Sequence, residues 1–240
     1  MGKIFIDHGI EYEEWTDGLV VRGFVNVDDK RTKLVIPRYL DSDAAPDIRP
    51  PFRSVIRIDN NAFQGESYLQ SVEIPETIIS IGEEAFNSCV NLKEVITYGR
   101  RQNNTELSET SLHLFKSAFK NCSKLEKVFL NRKKTYISAD AFAGCSCLKT
   151  FGGQIFALKR GAFDNCNLDS LTFADWVDIS NGSIENSGVK ELFFKGTHYE
   201  INKKLYDWLK KSQVAIHCEK HAPLVDFAYE GINISIVEKA

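Results

Sequence analysis

The chain has 240 residues, of which 43% are hydrophobic and 26% are charged, and its formal net charge is -3. This composition predicts a folded protein with a substantial core, and no apolar run approaches the roughly 18 to 20 residues that a membrane-spanning helix requires. Acidic and basic residues are spread along the chain, so we expect neither membrane insertion nor a nucleic-acid partner. The one basic cluster, residues 132–134, is interpreted as a solvated turn.

Residues 1–33 are predicted to form an N-terminal β-hairpin cap. Apolar residues alternate at Val21, Phe24 and Val27, which is the pattern of a hairpin strand. The first fifteen residues contain four acidic ones and lack the basic and apolar regions of an export signal. The chain as written is therefore expected to be cytoplasmic.

The first repeat strand is predicted at residues 34–37. Its sequence, Leu-Val-Ile-Pro, matches the Val-Glu-Ile-Pro of residues 72–75. Residues 38–54 follow it and contain three prolines, where a later coil has only a short turn. This segment is predicted to be a loop insertion.

The dipeptide Ala-Phe recurs along the middle of the chain and sets a repeat length. Its phenylalanines are 23, 33, 23 and 21 residues apart: Phe63, Phe86, Phe119, Phe142 and Phe163. A cysteine follows three residues after four of them: Cys89, Cys122, Cys145 and Cys166. A coil of this length cannot enclose a core alone, so each coil must bury its apolar edge against its neighbours. We therefore predict a solenoid over residues 34–196, with a second loop insertion at 100–109.

Residues 197–240 are predicted to close the array as a C-terminal cap of helix and strand. A helix is expected over 201–211, where apolar residues have helical spacing. A second short helix is expected over 222–229, followed by a strand over 232–237.

The coils resemble a known repeat family. Residues 72–86, VEIPETIISIGEEAF, and the following NSCVNLKEV are similar to the BspA-like (LRR type 5) leucine-rich repeat, and the similarity extends from Leu34 to Phe194. The resemblance implies an α/β repeat fold, a single leucine-rich-repeat solenoid of about 23-residue coils. It also implies a non-catalytic protein that binds other proteins, in some members as a surface adhesin. If the sequence was trimmed, the resemblance implies a cell-surface or secreted location.

The residues give little support for catalysis, a cofactor or a metal. No glycine-rich phosphate loop is present, and the repeat cysteines are expected to be buried, unpaired thiols. His217, Cys218 and His221 offer three metal ligands, whereas a zinc site takes about four, so no metal is predicted. The alternative to a binding module is a small-ligand-binding protein or an enzyme with a site at residues 201–221.

The repeat strands predict a binding surface on one sheet face. Because alternate residues such as Val72 and Ile74 point inward, the residue between them points outward. Four of the seven outward residues are apolar. The seven are Val35, Glu73, Ile96, Phe129, Gly152, Thr172 and Phe193. Tyr98 is predicted to lie beside them on the same surface. A contiguous apolar stripe marks a contact surface, so we predict a protein partner here. A flanking segment or a second copy of the chain is the alternative occupant.

One rung of this column admits two registers. In residues 95–98 the inward position after Val95 is the polar Thr97. A shift of one residue would bury Ile96 and Tyr98 instead and remove both from the surface.

Overall fold

The structure is a computed structural model that describes residues 2–26, 29–40, 54–99, 108–196, 202–219, 232 and 234–237. Within these residues the chain forms many short strands and one helix. In chain order they are β1 (Ile4–Asp7), β2 (Ile10–Trp15), β3 (Gly18–Phe24), β4 (Lys33–Val35), β5 (Val55–Ile58), β6 (Ser71–Pro75), β7 (Ser80–Ile81), β8 (Glu94–Tyr98), β9 (Leu112–Leu114), β10 (Lys127–Phe129), β11 (Thr135–Ile137), β12 (Thr150–Gly152), β13 (Ile155–Leu158), β14 (Ser170–Ile179), β15 (Glu191–Phe194), α1 (Lys203–Lys211), β16 (Ala215–Glu219) and β17 (Ile234–Val237).

Two series of parallel strands run along the molecule, and most coils contribute one strand to each. The first series is β4, β6, β8, β10, β12, β14, β15, β16 and β17. The second series is β3, β5, β7, β9, β11, β13 and the end of β14. Each strand pairs with its equivalents in the neighbouring coils, which confirms the predicted solenoid. The regular secondary structure of the described residues is β-strand, apart from the helix α1.

The N-terminal cap is an antiparallel meander that joins the second series. β1 pairs with β2 and β2 with β3 in antiparallel fashion, and β3 then pairs in parallel with β5. Val21 is buried in the predicted hairpin strand, whereas Val27 lies outside the described residues. The cap and the repeats share one hydrophobic core, so the proposed boundary at residue 33 remains a prediction.

The Ala-Phe phenylalanines form a ladder through this core. Their five rings are buried, and consecutive rings stack with centroids 5.0 to 5.3 Å apart. The residue before each alanine has a left-handed backbone, with φ between 55° and 69°: Asn61, Glu84, Ser117, Asp140 and Gly161. Residues other than glycine rarely adopt this conformation, so the turn carries local strain in the four coils where the residue is not glycine.

The repeat cysteines join each coil to the one before it. The four thiols donate hydrogen bonds of 3.1 to 3.2 Å to the carbonyl oxygens of Phe63, Phe86, Phe119 and Phe142. All four cysteines are unpaired, as predicted. Three are buried as predicted, whereas Cys166 is partly exposed, so the prediction of burial is wrong for Cys166. In the coil that follows it, Ser187 stands in the place of cysteine. Burial raises the pKa of Cys166 to about 12, which keeps this thiol protonated as a donor.

Part of each predicted insertion falls within the described residues. Residues 41–53 and 100–107 lie outside them. At the ends of the first insertion, Tyr39 and Ser54 form an antiparallel bridge. At the end of the second, Ser108 forms a parallel bridge with Arg132. The exposure predicted for 100–109 therefore remains a prediction.

The C-terminal cap contains the first of the two predicted helices. The side chain of Asn202 caps α1 by accepting a hydrogen bond of 3.0 Å from the backbone N–H of Leu205, and Leu205 and Leu209 are buried. The second predicted helix, 222–229, lies outside the described residues. Among the residues that the structure describes, no helix combines the length and apolarity needed to cross a bilayer.

The interpretation of residues 132–134 as a solvated turn is wrong for Arg132. Its side chain is 1% exposed, and Nη2 donates to the carbonyl oxygens of Pro75 and Ile78 at 3.4 and 3.3 Å. The coil of Pro75 and Ile78 and the coil of Arg132 are separated by the coil that carries the second insertion. The guanidinium group of Arg132 therefore reaches past this intervening coil. Burial lowers the pKa of Arg132 to about 10. Only Lys133 and Lys134 are exposed, as a solvated turn requires.

Candidate protein-binding surface

The predicted outward residues lie in register on the first series of strands. Val35 pairs with Glu73, Glu73 with Ile96, Ile96 with Phe129, and Phe129 with Gly152. β12 and β14 pair at Thr150 and Ser170, each two residues before its member of the column, Gly152 and Thr172. Thr172 then pairs with Phe193. We call the seven residues predicted as outward the strip: Val35, Glu73, Ile96, Phe129, Gly152, Thr172 and Phe193.

The strip exposes apolar side chains to solvent. Val35 and Phe129 are each 44% exposed, and Ile96 and Phe193 are half-buried. The inward neighbours Val72 and Val128 are fully buried, so the alternation of the strands holds. The strip therefore lies on the outer face of strands whose inner face packs in the core.

The rung at residues 95–98 keeps the regular register, so the shifted alternative does not occur. Thr97 points inward, is buried, and donates a hydrogen bond of 3.3 Å from Oγ1 to the Phe129 carbonyl oxygen. This bond satisfies the hydroxyl in the core and removes the main cost of burying threonine. Ile96 and Tyr98 stay half-buried on the outer face.

Tyr98 is held in place beside the strip. It lies opposite Pro75 in the neighbouring strand, and its hydroxyl donates a hydrogen bond of 2.6 Å to the carbonyl oxygen of Ile36. Partial burial raises the pKa of Tyr98, so the phenol remains protonated. Because this bond spans two strands, Tyr98 fixes one margin of the surface.

Gly152 accommodates the ring of Phe129. A Cβ atom at position 152 would lie 2.5 Å from Cδ1 of Phe129, which is closer than two non-bonded carbon atoms approach in proteins. The ring therefore leans across the glycine and covers the backbone of the neighbouring rung. The absence of a side chain at position 152 therefore contributes to the surface, because it leaves room for the ring of Phe129.

His217 extends the strip by one rung and was not predicted. It pairs with Phe193, and the two rings stack with centroids 4.4 Å apart and planes 10° apart. Its Nε2 atom lies 3.7 Å from Oε2 of Glu191. The signal was present, since the neighbours Ile216 and Cys218 are buried and alternation turns His217 outward.

The same alternation argues against metal binding near the C-terminal cap. His217 faces the outer surface whereas Cys218 is buried on the other side of its strand. His221, the third predicted candidate, lies outside the described residues. Over the described ranges, no group of three His, Cys, Asp or Glu residues is placed to hold a metal.

A charged column flanks the strip. Lysines, glutamates and small polar residues follow one another in register along this column. Its members are Lys33, Ser71, Glu94, Lys127, Thr150, Ser170 and Glu191. Lys33 also forms an ion pair of 2.5 Å with Glu73 in the strip. This arrangement combines an apolar centre with a polar margin, which is the usual composition of a protein interface.

The second series carries an aromatic row that the sequence interpretation missed. His113 and Tyr136 are paired in register, and their rings stack with centroids 4.3 Å apart. Phe156 continues the row, 5.1 Å from the ring of Tyr136. Burial lowers the pKa of His113, which favours the neutral ring in the stack.

Comparison with known proteins identifies the repeat. The family described as the BspA type leucine rich repeat region matches in six copies, over residues 47–187 and 112–221. The chain belongs to this family. No curated protein matches the sequence of this BspA-type chain.

Solved structures share the fold of the BspA-type chain. One is a leucine rich cell surface protein from Faecalibacterium prausnitzii A2-165, with a TM-score of 0.52 and 14% identity over 92% of this chain and 72% of that one. Another is the T. pallidum leucine rich repeat protein, with a TM-score of 0.50 and 14% identity over 99% of this chain and 100% of that one. At such low identity, these similarities show the solenoid fold alone.

Proposed function

We propose that the protein is a non-catalytic binding module whose strip contacts a protein partner. The observation that carries this proposal is the alignment of exposed Val35 and Phe129 with Ile96 and Phe193 on one sheet face. Contiguous exposed apolar side chains mark contact sites, and aromatic residues are frequent energetic anchors. The flanking charges would orient the partner, because electrostatic complementarity contributes to specificity.

A role at the cell surface is a further part of this proposal. It is supported by the family and by one structural neighbour that is described as a cell surface protein. An extended solenoid face suits adhesion because it offers many rungs to one partner. No specific observation favours the alternative of an enzymatic or small-ligand site at residues 201–221.

The test compares two aromatic positions of the strip with one outside it. Phe129→Lys combined with Phe193→Lys places two charges on the strip, whereas Phe115→Lys makes the same change at a side chain that is 48% exposed elsewhere. A partner identified by pull-down with the unmodified protein is then titrated with each variant by calorimetry. We expect the double variant to lose binding by at least about 100-fold, since two anchors are removed, and the Phe115 variant to bind normally.

Circular dichroism and thermal unfolding of both variants separate folding from binding. If the double variant fails to fold, the two rings belong to the core and the proposed surface is wrong. A folded double variant that keeps its affinity would place the contact on another part of the molecule.

A further inference from the structure

The N-terminal strand β1 has a backbone edge available for pairing. Among the described strands it pairs with β2. The N–H of Glu14 donates to the carbonyl oxygen of Lys3 at 2.8 Å, so residues 3, 5 and 7 direct their backbone groups toward β2. The backbone N–H and C=O groups of Ile4 and Ile6 therefore point away from the sheet, toward the outer edge.

The side chains at these two positions are also exposed. Ile4 is 51% exposed and Ile6 is 58% exposed, whereas Phe5 between them packs against the core. Proteins usually protect an edge strand with proline, lysine or a bulge at such positions, because an apolar edge is a template for another strand. β1 has none of these devices at residue 4 or 6.

We propose that β1 pairs in antiparallel fashion with β1 of a second copy of this chain, about a two-fold axis at Phe5. In this register Ile4 of each copy lies opposite Ile6 of the other. Lys3 lies opposite Asp7, whose carboxylate also contacts Nδ1 of His8 in its own chain at 2.7 Å. The outward backbone groups of each Ile4–Ile6 pair then exchange both hydrogen bonds, as an antiparallel ladder requires. The sequence Lys-Ile-Phe-Ile-Asp is thus self-complementary in charge and in apolar character.

Other registers fit less well. A shift of one residue would set the outward groups of Ile4 against backbone groups that already bond to β2. A shift of two residues would place Lys3 or Asp7 opposite the aromatic Phe5 and lose both charge pairs. Charge complementarity therefore selects a second copy over an unrelated extended peptide, and it selects one register.

The dimer would join two solenoids at their N-terminal caps. The second series of strands would continue from one copy into the other through β3, β2 and β1. The strip lies on the first series and would remain open in both copies, so the assembly would be bivalent for a partner. Only a short strand is buried, which places the contact among weak, transient interfaces.

The first test measures association of the full chain by sedimentation velocity over about 1 to 500 µM, a range suited to a weak interface. We expect reversible dimerisation that Ile6→Pro weakens at least tenfold. Proline removes the outward N–H of residue 6 and leaves the bonds between β1 and β2, which use residues 3, 5 and 7. A combined Ile4→Lys and Ile6→Lys variant provides a second way to block the edge if the proline variant is misfolded.

Charge reversal tests whether the partner strand is β1 itself. Lys3→Asp sets two acids against each other and Asp7→Lys sets two bases against each other, so each single change should weaken the dimer. The double exchange should restore it, which would not occur with an unrelated strand. In a Cys147→Ser background, which removes the exposed native thiol, Phe5→Cys should form a disulfide-linked dimer across the two-fold axis.

Three results would overturn the proposal. The first is a protein that stays monomeric at every concentration, even if the reason is that another segment of the chain pairs with the outer edge of β1. The second is a dimer that Ile6→Pro and the lysine variant leave unchanged. The third is a dimer that the Phe129→Lys and Phe193→Lys variant dissolves, since that contact would use the strip. Partner binding by the strip is measured separately, so it can fail or succeed independently of this dimer.

Discussion

Substitution of Phe119 by alanine should weaken the solenoid at its centre. The ring is fully buried and stacks between Phe86 and Phe142, at centroid distances of 5.0 and 5.2 Å. Truncation of a buried phenylalanine to alanine costs about 3 to 5 kcal/mol, and two ring contacts are lost in this case. We therefore expect a loss of about 4 kcal/mol in the free energy of unfolding, which lowers Tm by about 8 to 16 °C.

The matched control is Phe115→Ala in the same coil. Phe115 is 48% exposed, so its truncation should change stability by less than about 0.5 kcal/mol. Urea denaturation followed by circular dichroism gives both values. A loss below about 1 kcal/mol for Phe119→Ala would refute the ladder as a major source of stability. A comparable loss for both variants would show that burial does not distinguish the two rings.

Two further substitutions and one thiol titration test individual features. Gly152→Val should displace the Phe129 ring and weaken partner binding by about tenfold with the fold intact, as measured by calorimetry. Thiol titration of native protein should label the exposed Cys147 quickly and the buried Cys122 only on unfolding, because burial raises the Cys122 pKa and depletes its reactive thiolate. Ser117→Gly should raise the free energy of unfolding by about 1 kcal/mol in urea denaturation, because glycine tolerates the left-handed φ of 55°.

The repeat could be predicted because equivalent positions have the same structural role in every coil. Each Ala-Phe pair occupies one turn and one place in the core, so its spacing directly reports the length of a coil. The outward column followed from alternation in the strands of the first series. It held even at Thr97, where a hydrogen bond to the Phe129 carbonyl compensates a polar inward residue.

The features that were missed depend on contacts between coils or on very short elements. The second series includes β7, Ser80–Ile81, which at two residues is too short to show any period. Arg132 resembles a solvated turn residue until its carbonyl partners, more than fifty positions earlier, are known. The contact of Phe129 with Gly152 likewise joins two coils, and neither residue indicates it alone.

The bonds from thiol to carbonyl between coils bear on how such a protein evolves. Each coil brings one donor for the coil before it and one acceptor for the coil after it. Duplication of a coil within the gene would therefore leave no unmatched group at either junction. It would lengthen the contact surface by one strand spacing, about 4.8 Å, without redesign of the interior. The reach of the molecule can thus be altered by copy number, while its specificity changes separately through single outward residues.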